Sequence, residues 1–178
     1  MAKEEFPLSK VYRLLESGPV VMVTTEKLGK PNIMTMSWHM MIEFEPCLAG
    51  FVVSDENYSF GLLKATKECG INIPTLDISE KTVGCGNTTG AKIDKFKEFD
   101  LTPRKASKIK PPLIEECYAN LECRLVDTKM VSKYGLFIVE VVKAWVDTSV
   151  KNPKTIHHRG GPDFMVAGDT ISIKSKMK

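Results

Sequence analysis

No apolar run in this chain approaches the roughly 20 residues that a membrane-spanning helix needs. The first residues, Met1-Ala-Lys-Glu-Glu-Phe-Pro, place charge where a secretory leader would carry its apolar core. The expectation is therefore a cytoplasmic protein, neither secreted nor membrane-bound. Among five cysteines there is no CxxC pair, which argues for reduced thiols rather than a disulfide framework or a zinc site. Cys117 and Cys123, the closest pair, have an even offset that would put them on one face of a strand as small core residues. With three histidines, of which only His157 and His158 adjoin, the chain offers no set of metal ligands at usable spacing. Charge of one sign is also scarce, since 25 basic residues face 22 acidic ones for a net +3. The basic stretch from Arg104 to Lys110 has no interleaved aromatics on which bases could stack, so it reads as a solvated loop and nucleic acid is not expected.

What remains is an ordinary globular composition. With 178 residues, 43% hydrophobic and 26% charged, the chain is long enough to bury about 70% of its unfolded surface. One domain over residues 1–178 is expected. Leu8, Val11, Tyr12 and Leu15 recur at helical offsets before Gly18-Pro19 stops the helix. Strands are predicted at Pro19–Thr25, Asn32–Glu43 and Cys47–Val53, with turns at Gly29-Lys-Pro31 and Glu45-Pro46. Helical spacing returns from Asn57 to Glu68, and a short strand follows at Gly70–Pro74. Asp77–Gly84 and Ala91–Phe99 are predicted as short helices. Beyond Pro111-Pro112, two β-rich segments, Cys117–Val131 and Leu136–Asp147, meet near Lys133-Tyr-Gly135. In the first of them Leu121, Cys123 and Leu125 alternate with Glu122 and Arg124, the pattern of a strand with one wet face. The pattern is mainly β: a barrel with short peripheral helices.

The segment Pro19–Pro46 carries the most information. Val20–Thr25 is β-branched almost throughout, as in a buried strand, whereas Asn32-Ile-Met-Thr-Met-Ser-Trp mixes small hydroxyls with large apolar groups. That mixture suits a strand lying against a flat, hydrogen-bonding ligand, and equally an ordinary strand with Thr and Ser on its wet face. The segment resembles a motif of the FMN-binding split-barrel family, in its flavoredoxin and flavin-reductase-like branch. The resemblance continues through Asp55-Glu-Asn-Tyr-Ser-Phe, Gly70-Ile-Asn-Ile-Pro, Cys85-Gly-Asn-Thr-Thr-Gly-Ala-Lys-Ile-Asp-Lys-Phe and Pro111-Pro-Leu-Ile-Glu-Glu-Cys-Tyr-Ala-Asn-Leu-Glu-Cys-Arg-Leu. It covers the chain from about Ser17 to Asp147. The resemblance implies a Greek-key split barrel that assembles as a homodimer, with FMN near the subunit interface.

A flavin demands a wall for its rings, hydrogen bonds to its polar edge and donors for its phosphate. The resemblance assigns the ring edge to Asn32, Met34, Thr35, Met36, Ser37 and Trp38, where N–H donors would stabilise charge on a reduced flavin. Ser54, Asn57, Tyr58 and Ser59 lie between a predicted strand and a predicted helix, so they are either plain caps or ligands of the ribityl phosphate. Thr88, Thr89, Gly90 and Lys95 follow the same logic. Their Gly-rich turn lacks the Gly-Lys-Ser/Thr ending of a Walker loop, and as a bare turn it would be structural; the resemblance makes it a cofactor contact. No catalytic residue is required of the protein, because the flavin carries the electron chemistry. Trp38 reads as a wall or core residue and His39 as a surface or interface histidine. Two departures from the family pattern stand out: Cys47, where a second proline commonly follows Pro46, places a thiol near the expected site, and His157–Phe164 matches the family's C-terminal Gly-Gly element only loosely. Without a Rossmann GxGxxG, NAD(P)H would have to dock transiently over the flavin. The expected function is electron transfer from NAD(P)H or a protein donor to a flavin, ferric complex or redox partner. The alternative is an FMN carrier, store or sensor without turnover.

Overall fold

The computed structural model describes residues 3–175. Its elements, in chain order, are β1 (Glu4–Glu5), α1 (Tyr12–Leu15), β2 (Val21–Lys27), β3 (Lys30–Met36), β4 (His39–Glu43), β5 (Leu48–Val52), α2 (Tyr58–Thr66), β6 (Glu68–Ile73), α3 (Ser79–Gly86) and α4 (Lys95–Glu98). They continue with β7 (Pro103–Arg104), β8 (Leu113–Ile114), β9 (Ala119–Asp127), α5 (Val131–Tyr134), β10 (Leu136–Val146), β11 (Ile156–Gly160) and β12 (Asp163–Val166).

Eight strands form one antiparallel sheet in the order β3-β2-β6-β9-β10-β5-β4, with β1 added to β10. The two outer strands of this path, β3 and β4, are consecutive in sequence. The chain itself therefore bridges the seam of the barrel, at Ser37-Trp38. The sequence pattern predicts one strand from Asn32 to Glu43, and the structure breaks it there: β3 pairs only with β2, β4 only with β5. Trp38 marks the exchange of partners, its carbonyl accepting from the Val52 N–H at 3.0 Å.

Strand β2 is buried on both faces, which is why Val20–Thr25 lacks the usual alternation. Val21 and Val23 point into the main core with Phe51, Ile71, Leu121, Phe137 and Val139. Met22 faces outward but is covered, with Ile33, Ile78, Cys85, Phe96 and Leu101, by α3, α4 and their flanking turns. Phe51 and Phe137, opposite each other on β5 and β10, stack at 5.9 Å, and Phe60 of α2 meets Phe137 edge-on at 5.4 Å. The β2–β3 hairpin turns through Leu28 and Gly29, both at positive φ, one residue earlier than the Gly29-Lys-Pro31 turn expected from sequence. In that register Pro31 occupies a non-hydrogen-bonded position, where its missing N–H costs nothing.

Several local expectations are revised. Helix α4 spans only Lys95–Glu98 instead of Ala91–Phe99, because Asp94 caps it by accepting from the Phe96 and Lys97 N–H groups at 3.1 and 3.4 Å. Cys117 precedes β9 and packs in the outer cluster, whereas Cys123 lies in the main core, so the two do not share a face. All five cysteines are buried and free. Glu122 is not on a wet face: it is fully buried, because the loop from Arg104 to Lys110 folds over β9 and β10 instead of standing in solvent. The Glu122 carboxylate accepts from the Ser107 and Lys108 N–H groups and from Trp145 Nε1 at 2.8 Å, while Ala106 and Ile109 pack beside Leu113, Val142 and Trp145.

Candidate functional site

Strand β3 is an edge strand, and its alternation decides which backbone groups are free. Lys27 and Lys30 close the two-residue hairpin, so Asn32, Met34 and Met36 bond to β2, while Ile33 and Thr35 turn their N–H and C=O groups away from it. Lys95 takes the outward Ile33 carbonyl, at 2.7 Å, and its Nζ also donates to the Cys85 carbonyl at 2.6 Å. That one side chain ties α4 to β3 and α3. The Thr35 hydroxyl makes the next tie, donating to the Thr82 carbonyl of α3 at 2.7 Å. A strand edge held this way keeps the outward Thr35 backbone pair at the mouth of the seam.

Two clefts flank the seam and share Thr35, Met36, Trp38 and Val52 as a common wall. The larger, about 1280 Å³, lies between β3, α3 and the β11–β12 hairpin. The smaller, about 670 Å³, lies between Met34, the Val53–Asn57 loop, α2 and α5. The smaller falls within the range of about 300–1,000 Å³ usual for ligand sites, and the larger exceeds it. Trp38 is 73% exposed and stands between them, so it is a wall and not a core residue.

Of the side chains anticipated from sequence, Met34, Thr35, Met36, Ser37, Trp38, Ser54 and Asn57 line one cleft or both. Asn57 is the N-cap residue of α2 but makes no side-chain cap bond, and Ser54 Oγ accepts only the Glu56 N–H at 3.3 Å. Asn32, Ser59, Gly90 and Lys95 line neither cleft. Asn32 Nδ2 donates to Ser59 Oγ at 2.8 Å, and a Cβ on Gly90 would fall 1.8 Å from Asn32 Oδ1, so only glycine allows this approach. Asn32 Oδ1 is buried without a hydrogen-bond partner.

Lys95 departs furthest from expectation. It is 4% exposed, lines neither cleft and spends its donors on two backbone carbonyls, with burial lowering its pKa against the opposing pull of the Cys85 thiol. Burial in turn pushes the Cys85 thiol up to about 11, the Lys95 ammonium acting the other way. Tyr58, Thr88 and Thr89 are exposed outside the cleft linings, and the Thr88 hydroxyl donates to the Gly84 carbonyl at 2.9 Å. Cys47 sits in the main core, where burial raises its thiol to about 11, so it is not beside the clefts.

His39 donates its Nε2–H to the Pro19 carbonyl, 2.6 Å away, and burial lowers its pKa, the bond to Pro19 opposing. Sequence reasoning passed over Glu80, Val83, Gly84 and Asn87 of the α3 region, Lys64 of α2 and Lys133 of α5, all of which line the clefts. Their only sequence signal was membership in short helices. The loosely matched tail, by contrast, forms the β11–β12 hairpin and brings His158, Gly161, Pro162, Asp163 and Phe164 to the larger cleft. Among the described residues, no group of three or more His, Cys, Asp or Glu side chains is arranged to hold a metal ion. No helix there is long and apolar enough to cross a membrane.

An antiparallel barrel closed by its own chain at a seam, with ligand clefts on either side of that seam, defines a split β-barrel binding protein. The chain belongs to the flavin reductase-like family, whose Flavin reductase like domain profile matches residues 13–164. It is 31% identical over 174 residues to the uncharacterized protein YddH of Escherichia coli, covering 90% of this chain and 92% of that one. The structure of an FMN-binding domain of a flavin reductases-like enzyme from Shewanella baltica superposes with a TM-score of 0.91 at 25% identity, over 97% of this chain and 98% of the other. A flavoredoxin from Methanosarcina acetivorans gives a TM-score of 0.74 at 25% identity over 89% of each chain.

Proposed function

We propose that this chain is an FMN-binding electron-transfer protein of the flavoredoxin type, taking electrons from NAD(P)H or a protein donor and passing them to a flavin, ferric complex or redox partner. The observation that carries this reading is the pair of clefts meeting at Thr35, Met36 and Trp38. The residues present fit FMN. In the smaller cleft, Ser54, Asn57 and the start of α2, which no side chain caps, with Lys64 and Lys133, suit a phosphate. At the seam, the outward Thr35 backbone pair and the Ser37 hydroxyl suit the polar edge of a ring system, and Trp38 suits its flat face.

When bound, FMN supplies the electron-carrying chemistry. The chain's own residues supply the rest. Thr35, whose hydroxyl is committed to Thr82, offers a ligand its backbone N–H and oxygen lone pairs and no side-chain proton. Met34 and Met36 give a polarisable apolar wall that excludes water. The cytoplasm is the expected compartment, and a homodimer the expected assembly.

Anaerobic addition of NADH or NADPH to the FMN-loaded protein tests the choice of donor. Bleaching of the oxidised-flavin absorption well above the rate for free FMN marks a nicotinamide-dependent reductase. Bleaching no faster than free FMN refers the electrons to a protein donor or leaves a carrier, and refutes direct reduction by a nicotinamide.

A further inference from the structure

The two clefts differ in charge as well as size. The smaller presents two cations, Lys64 and Lys133, against the single carboxylate of Asp55. The larger presents two carboxylates, Glu80 on α3 and Asp163 at the start of β12, and neither lysine nor arginine lines it. Neither carboxylate has a salt-bridge partner among the described residues. The neighbouring cations do not reach in: Lys81 turns to Asp100, and Arg159 lies outside the lining. The same lining carries the apolar side chains of Trp38, Leu76, Ile156 and Phe164, with the His158 ring tilted against Phe164 at 5.2 Å.

We infer that the larger cleft is a second ligand site, selective for a flat aromatic molecule that is uncharged or cationic, and that it turns anionic ligands away. The inference rests on the reading that FMN takes the smaller cleft and the seam, leaving the larger cleft as the approach from the opposite side. Aromatic walls favour a planar ligand through apolar burial and stacking. Two unpaired carboxylates repel an anion, and a like-charge contact of this kind is a device of specificity. A reduced nicotinamide dinucleotide carries a pyrophosphate, and this lining holds no lysine or arginine to meet it. The ligand class is thus a neutral or cationic aromatic, and the nicotinamides are poor occupants.

Two probes that share one ring system and differ by an anionic substituent test this: 1,4-naphthoquinone and its 2-sulfonate, each titrated by calorimetry into the full chain with and without bound FMN. The wild type is expected to prefer the uncharged probe by about tenfold or more. In the E80Q/D163N double variant, whose changes fall on unpaired cleft-lining carboxylates, the preference should drop to about twofold or less. Equal or tighter binding of the sulfonate, a preference that survives in the double variant, or failure of both probes to bind each overturns the inference. The absorption spectrum reports FMN separately. Charge-selective binding by a chain that retains no flavin would support the second site while refuting the FMN reading.

Discussion

At the scale of single residues, the buried polar groups carry the clearest consequences. Burial alone would raise the pKa of Glu122, but hydrogen bonds from Trp145, Ser107 and Lys108 outweigh it and hold the carboxyl below its ordinary value. A carboxylate whose folded pKa is depressed contributes stability above its unfolded value, near about 4.3, and loses it as pH falls through the folded value. Glu122→Gln should therefore destabilise the protein by about 1–3 kcal/mol at neutral pH, through lost charge-assisted bonds to the Ser107–Lys108 turn. The difference from wild type should begin to shrink as pH falls below the unfolded value and go on shrinking through the lower folded value, where the buried side chain also becomes neutral. Urea unfolding at several pH values checks both statements; a pH-independent gap contradicts the assignment of a buried, ionised carboxylate.

At the scale of elements, the order of strands and helices follows from patterns visible along the chain. Strands β2, β6 and β10, at Val21–Lys27, Glu68–Ile73 and Leu136–Val146, overlap the segments predicted because β-branched and apolar residues fill them between turn residues. The break at Ser37-Trp38 was not legible, since a strand that changes sheet partners keeps its extended backbone and its apolar pattern on both sides. The burial of Glu122 was hidden for a similar reason: alternation reports which residues share a face, and only the loop from Arg104 to Lys110 decides whether that face is wet. Seven anticipated side chains line the clefts because the Met34–Trp38 segment and the entry to α2 coincide with local signals. The partners of Lys95 were not legible because a lysine beside a Gly-rich turn reads the same whether it meets a phosphate or two backbone carbonyls. Its geometry makes it a brace between α4, α3 and β3. Lys95→Met should cost about 1–3 kcal/mol by leaving two buried carbonyls short of a donor. Denaturant unfolding reads this; unchanged stability with abolished FMN binding would instead make Lys95 a ligand of the cofactor.

At the scale of the whole molecule, the outer face of β4 stands out. Trp38, Met40, Ile42 and Phe44, within and flanking β4, are 73, 49, 42 and 59% exposed, and Trp38 lines both clefts at the seam. An exposed apolar stripe of this kind is what a self-association surface presents. The homodimer proposed for this chain would use it, placing a second copy beside both clefts. Sedimentation velocity at micromolar concentration should find a dimer for the wild type and a monomer for M40E/I42K; a wild-type monomer, or a double variant that still dimerises, contradicts this use of the face.

The proposed function stands or falls on the seam at Thr35–Trp38 and the smaller cleft holding a flavin. Titration of the purified, flavin-free protein with FMN, followed by visible absorption after gel filtration, tests it most directly. The account predicts one FMN retained per chain, with its absorption band shifted from that of free FMN by the ordered surroundings. A protein that elutes folded and colourless from saturating FMN would contradict it.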